Sequence, residues 1–233
     1  MKLAIMQPYF LPYIGYFQLI DAVDEFVVYD NIQFTKKGWI NRNRILDGNN
    51  FAYITLPLKK DSDYLDVKDR YLADIWMNEK TKMLNKIQSS YRKAPFYQLV
   101  YPIVEKIILF EENNLFDFIF NSLVTINSFL EIKTKLTLSS SIEIDHNLKS
   151  DLKILEICKN RKFDTYINPI GGLELYNKDS FKNKGVELSF LKTNDFKYTQ
   201  NNNEFIPYLS ILDVMMFNSK DKIREMLKLY TKK

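Results

Sequence analysis

This sequence predicts an α/β fold: a mostly parallel sheet flanked by helices, with a helical insertion in the middle of the chain. Three observations carry that expectation. The first thirty residues run strand, turn, helix, strand, the order of a βαβ unit. The stretch from 75 to 130 holds three helix-period segments with no strand between them. Short strand-like segments resume after it at Lys135–Leu138, Thr165–Ile167 and the alternating Val186–Leu191. A chain of 233 residues suits one domain over 1–233, with 75–130 as a helical lobe within it.

The elements follow in order. Leu3–Met6 is a short apolar run, expected as a buried strand. Pro8 and Pro12 force an irregular, extended connection. Ile14–Val23 places Ile14, Phe17, Leu19, Ile20 and Val23 at helical spacing. Glu25–Tyr29 is β-branched and aromatic, a central strand. Arg44–Leu46 and Ala52–Leu56 form a hairpin across Asp47-Gly48-Asn49-Asn50, and Pro57 ends it. Lys59–Asp69 is a charged loop. Helices are expected over Ile75–Tyr91, Pro95–Phe110 and Leu115–Leu130. After Lys135–Leu138 comes a polar loop, then a helix capped by Ser150 or Asp151 and running through Lys159. Thr165–Ile167 leads into the turn Asn168-Pro169-Ile170-Gly171-Gly172, and Leu173–Tyr176 opens a short helix. Asn201-Asn202-Asn203 reads as a loop, and Ser210–Phe217 and Ile223–Tyr230 read as terminal helices.

Composition narrows the function. The formal net charge is only +4, and basic residues are interleaved with acids, so a nucleic-acid arm is not expected. One cysteine allows neither an internal disulfide nor a zinc cluster, and no metal site is expected, although a carboxylate–magnesium contact stays open. The opening residues show no secretory apolar region, and no apolar stretch approaches the ~20 residues that span a bilayer. A cytoplasmic protein without membrane insertion is expected. Aromatic residues, 17 Phe and 15 Tyr, suit either a packed core or a sugar and nucleotide pocket.

Several segments resemble a known family. Ala4-Ile5-Met6-Gln7-Pro8-Tyr9-Phe10-Leu11-Pro12-Tyr13-Ile14-Gly15-Tyr16-Phe17 is similar to the opening of WbqC-like proteins. Tyr29-Asp30-Asn31-Ile32-Gln33-Phe34 and Gly38-Trp39-Ile40-Asn41-Arg42-Asn43-Arg44 match the same pattern. So do Tyr166-Ile167-Asn168-Pro169-Ile170-Gly171-Gly172 and Tyr208-Leu209-Ser210-Ile211-Leu212-Asp213. The resemblance implies a role in surface-polysaccharide precursor biosynthesis. Its sharpest form is transfer of an aminoacyl or acyl group from a carrier-protein thioester to the amine of a nucleotide-linked amino sugar. The implied partners are an acyl or peptidyl carrier protein and the nucleotide sugar. No cofactor of the chain's own is implied, the phosphopantetheine arriving on the carrier protein.

Residue chemistry gives candidates beside that resemblance. Gln7 and Tyr9 follow the first strand, and Asp30, Asn31 and Gln33 follow the second. Ligands of open α/β sheets bind at such strand ends. A capped turn network without a ligand is the competing reading. Lys36, Trp39, Asn41, Arg42 and Arg44 form a basic, aromatic stretch. Arg42 and Arg44 share one face of an extended chain and could grip a phosphate, or merely protect a sheet edge. Asn168, Gly171 and Gly172 form a turn whose backbone could approach an anion, or a plain tight turn. Ser210 and Asp213 have capping-box spacing with Asp in place of Glu, and the family match also brings them toward the site. Cys158, inside a helix among Leu155 and Ile157, is more simply a buried structural thiol than a nucleophile. His146 is expected as an exposed loop residue. Direct attack by a sugar amine needs no protein nucleophile, and Asp30 is the expected base. Nucleotidyl transfer lacks its two motif histidines, and Asp61-Ser62-Asp63 is a poor stand-in for the metal motif of glycosyl transfer. A non-catalytic carrier-protein or assembly partner would instead show a large exposed apolar patch.

Overall fold

The computed structural model describes residues 1–201 and 204–233, so Asn202 and Asn203 of the expected Asn201-Asn202-Asn203 loop lie outside the described residues. The chain runs β1 (Lys2–Met6), α1 (Ile14–Asp21), β2 (Glu25–Val28), β3 (Arg42–Asp47), β4 (Asn50–Thr55), α2 (Trp76–Tyr91), α3 (Tyr97–Ile108) and α4 (Leu115–Leu130). It continues β5 (Lys135–Leu138), α5 (Ser150–Arg161), β6 (Thr165–Pro169), α6 (Lys178–Lys182), β7 (Glu187–Thr193), α7 (Ile211–Phe217), α8 (Lys220–Met226) and β8 (Tyr230–Lys232). The main sheet has the order β5-β2-β1-β6-β7-β8. It is parallel through β7, and β8 closes it antiparallel. The α/β fold expected from the sequence is the observed one.

Both faces of the sheet are covered at β1 and β2, which explains why Leu3–Met6 and Phe26–Val28 read as apolar runs rather than alternations. Ala4, Phe26 and Val28 face one side and pack with Phe17 of α1, Ile87 of α2, Val104 of α3, Phe118 of α4 and Met215 of α7. Leu3, Ile5 and Val27 face the other side and pack with Ile157 and Cys158 of α5 and Phe181 of α6. The mid-chain helices α2–α4 therefore share a core with the sheet. Glu25 of β2 accepts two hydrogen bonds of 2.9 Å from the Arg161 guanidinium, tying the central strand to the end of α5. No described helix is long and apolar enough to cross a membrane.

Four local expectations are corrected. The hairpin strands are longer than expected and start earlier: Asp47 pairs with Asn50, so the turn is only Gly48-Asn49. Neither Ser150 nor Asp151 caps α5. Lys149 stands at the cap without a side-chain bond, Ser150 already lies in the helix, and the Asp151 carboxylate accepts from its own neighbour, Leu152 N. Residues 170–172 form a single 3₁₀ turn, and the short helix starts at Lys178, where Asn177 accepts from Asp179 N and Ser180 N. The expected final helix stops at Met226, because Tyr230 pairs with Thr193 in β8. A three-residue strand with two exposed positions leaves no alternation to read.

Candidate functional site

β1 pairs with β2, and β2 with β5, in parallel register, so Gln7, Asp30 and Ser139 leave neighbouring strands at one edge of the sheet. From β1 the chain crosses to β2 on one side, while β6 lies on the other. That reversal is a topological switch point, where open sheets leave a crevice at their carboxyl ends.

Asp30 is buried there, 2% exposed. Its Oδ1 accepts from Ser139 Oγ at 2.7 Å and Ser140 N at 2.8 Å, and its Oδ2 accepts from the Ser140 hydroxyl. The Ser139 hydroxyl also lies against Asn31 Oδ1, and Asn31 Nδ2 is 2.9 Å from His146 Nδ1. Asp30, Asn31 and His146 are thus joined through one serine. His146 is half-buried in this chain of contacts rather than loose in a loop. The Asp30 carboxylate arrives already engaged as an acceptor on both oxygens, which holds the loop after β5 in place.

The other strand-end residues reach an aromatic cavity. Gln7 Oε1 accepts from the Tyr9 hydroxyl at 3.3 Å. Tyr9, Pro12, Tyr13, Trp39, Asn43, Arg44 and Tyr208 enclose about 250 Å³. Three distant stretches of chain supply these walls. Asn43 fixes the extended turn by donating to Phe10 O at 3.1 Å and Leu11 O at 2.9 Å. The Arg44 guanidinium lies 5.3 Å from the Trp39 ring centroid and 4.9 Å from that of Phe51. Its Nη2 donates to Tyr208 O at 3.0 Å, while Nε is buried with no hydrogen-bond partner among the described residues. A buried N–H left unpaired costs on the order of 1–3 kcal/mol. The guanidinium is therefore undersatisfied at a buried atom, while Arg44 itself lines the cavity as its one charged side chain.

Other expected site residues lie elsewhere. Arg42 and Arg44 do share a face of β3, opposite Thr55 and Tyr53, but they border different hollows. Arg42 donates to Gly38 O at 3.1 Å and also to Lys37 O, and it borders a broad cationic depression with Lys36 and Asn41. In that depression Lys36 pairs with Asp63 at 2.7 Å and Asn41 donates to Leu56 O at 2.9 Å, while Gln33, outside the lining, donates to Asp63 O at 2.9 Å. Asn168 is buried at the end of β6 and accepts from the Tyr166 hydroxyl at 3.1 Å. A Cβ on Gly172 would collide with Asn168 Nδ2, whereas one on Gly171 would meet nothing within 4 Å. Close approach, not a left-handed backbone, explains Gly172. Neither glycine lines the aromatic cavity.

Ser210 is the N-cap of α7. Its Oγ accepts from Leu212 N at 3.3 Å and donates to Leu11 O at 2.8 Å, and its backbone N donates to Arg44 O at 2.8 Å. It thereby clamps two walls of the cavity together. Asp213 does not complete a capping box. It is fully buried and accepts from Tyr91 Oη at 3.0 Å, Tyr198 Oη at 2.5 Å and Gln200 Nε2 at 2.6 Å. Burial outweighs those three donors and pushes its carboxyl up to about 6. Cys158 is fully buried, and burial pushes its thiol up to about 12, far from thiolate chemistry at neutral pH.

Sequence reasoning missed Pro12, Tyr13, Asn43 and Tyr208 as cavity walls, although all four stand inside the family-like segments. It also missed a second hollow of about 410 Å³ beside the first, bordered by Thr193, Phe196, Tyr198 and Phe205. The crowding of aromatics between 196 and 208 was its one signal. Among the described residues no group of three or more His, Cys, Asp or Glu could hold a metal ion.

Comparison with known proteins agrees with the earlier resemblance. The chain is similar to the uncharacterized protein Rv1507c of Mycobacterium tuberculosis (strain ATCC 25618 / H37Rv), at 27% identity over 221 residues, 93% of each chain. No solved structure matches. The model of the WbqC-like protein family matches residues 7–225, a span that includes every wall of the aromatic cavity and the Asp30–His146 cluster. The chain belongs to the WbqC-like protein family.

Proposed function

We propose that this chain is an enzyme of surface-polysaccharide precursor biosynthesis that acylates the amine of a nucleotide-linked amino sugar, the acyl or aminoacyl group arriving as a carrier-protein thioester. The family is associated with polysaccharide gene clusters. The observation that carries the ligand class is the aromatic cavity with Arg44 as the one charged side chain in its wall. Aromatic rings offer faces for a base or sugar to stack on, and a guanidinium is a planar partner for a phosphate oxygen.

The reaction needs no protein nucleophile. The neutral amine attacks the thioester carbonyl carbon, a C–N bond forms, the C–S bond breaks, and the departing thiolate takes the proton the amine loses. With its oxygens already accepting from Ser139 and Ser140, Asp30 acts in this reading by orienting that loop and, through Asn31, His146. Gln7, through Tyr9, sets the cavity wall on the β1 side. Ser210 and Asp213 hold the α7 side in place, and a carrier protein supplies the phosphopantetheine.

Thermal shift with uridine and thymidine diphosphate amino sugars tests the acceptor half. A ligand at 100 times its dissociation constant stabilises by about 2.7 kcal/mol. Arg44→Met should weaken that binding by roughly 10- to 100-fold, the worth of a hydrogen bond to a charged group. Equal affinity in the variant would remove Arg44 from the site.

A further inference from the structure

The second hollow has a chemistry different from the first, and the two share a wall. Tyr13 and Tyr208 border both. Their rings stand edge-on with centroids 6.3 Å apart. Both tyrosines are held. The Tyr13 ring lies over Gly15 so closely that a Cβ there would collide with it. Tyr208 sits in the left-handed region at φ 57°, its carbonyl anchored by Arg44. A non-glycine residue persists in that region where the surroundings impose it.

The linings differ in charge. The smaller hollow, about 250 Å³, has one charged side chain, Arg44. The larger, about 410 Å³, has one cation and one anion, Lys197 and Asp195, among Phe196, Tyr198 and Phe205. Tyr198 turns its hydroxyl away to Asp213, so it offers the larger hollow its ring. Thr193 and Asn194 add a hydroxyl and an amide to the same lining. The smaller hollow thus suits an anion. The larger suits a neutral chain that is mainly apolar with a few amide groups, and its volume falls among those of small-molecule pockets, roughly 300–1,000 Å³.

We infer that the larger hollow binds the acyl thioester end of a pantetheine-type arm, while the smaller binds the anionic acceptor, and that the two meet at the Tyr13–Tyr208 wall. The assignment rests on the acyl-transfer reading above. Transfer needs the amine nitrogen and the thioester carbon about 3–3.5 Å apart, so the two ends meet past the edge of this common wall and not across it. The carbonyl carbon exchanges its bond to sulfur for one to nitrogen at that wall, and the thiol withdraws through the larger hollow.

Calorimetry on the full chain tests this with two probes, acetyl-pantetheine and UDP-glucosamine. Phe196→Trp, which fills the larger hollow, should weaken acetyl-pantetheine at least tenfold and leave UDP-glucosamine within twofold. Arg44→Met should do the reverse. Phe205→Trp serves in place of Phe196→Trp should that variant fail to fold. Acetyl-pantetheine binding that the tryptophan leaves unchanged, or that Arg44→Met abolishes, overturns the assignment. So does UDP-glucosamine binding without any acetyl-pantetheine binding, which spares the acceptor half of the functional reading. Failure of both probes to bind removes that reading, and the assignment falls with it.

Discussion

The buried Asp213 carboxyl gives a sharp test of the structure, because its effect on stability has a definite sign. Its native value is about 6, against an ordinary 3.8. Between those values the native state holds a proton that the unfolded chain has released. Stability from this group is therefore complete below about pH 4 and is lost as pH rises through 6. A rise of about two pH units, at 1.36 kcal/mol per unit, makes the loss about 3 kcal/mol. Asp213→Asn cannot titrate, so its stability lacks this component while keeping that of every other carboxyl. The variant also loses an acceptor for Tyr198 or Gln200, which displaces its whole curve but not its slope with pH. Urea denaturation of both proteins from pH 4 to 8, followed by the fluorescence of Trp39 and Trp76, supplies the difference. The wild type should lose about 3 kcal/mol relative to the variant between pH 4 and 7. A difference independent of pH would refute the reasoning. A difference of opposite sign would show that the three donors outweigh burial.

Two further outcomes follow from local geometry. Gly172→Ala drives a Cβ into Asn168 and should cost about 1–3 kcal/mol of stability in thermal or urea unfolding, while Gly171→Ala, with open space around it, should stay within about 0.5 kcal/mol. If the proposed acyl transfer holds, Cys158→Ala should retain it in an assay with carrier-bound thioester, since the thiol is buried and pushed up to about 12; loss of turnover in a folded variant would instead require covalent catalysis.

Much of the frame was legible in the chain. Leu3–Met6 and Phe26–Val28 are continuous apolar runs because both of their faces are covered, and such runs predict buried parallel strands. Arg42 and Arg44 share a face because side chains alternate along any strand. The family-like segments contain every wall of the aromatic cavity, so the residues were in view even where their roles were not. Their grouping was harder to foresee. The shared face of Arg42 and Arg44 suggests that both could serve one phosphate or one sheet edge, yet the hairpin places one beside the cationic depression and the other beside the rings.

Local pattern determined what depends on neighbours in sequence: strand, helix, the inert environment of Cys158, the Ser210 cap. Tertiary structure decided what depends on partners far along the chain. Asp213 has the spacing of a cap, but Tyr91, 122 residues away, and Tyr198 and Gln200 draw it inside. The second hollow exists only where the stretch after β7 folds back against Tyr13. A side chain is committed by the lowest free energy among all donors and apolar surfaces it can reach, and for these residues the decisive ones are assembled only when the sheet and its layers of helices close.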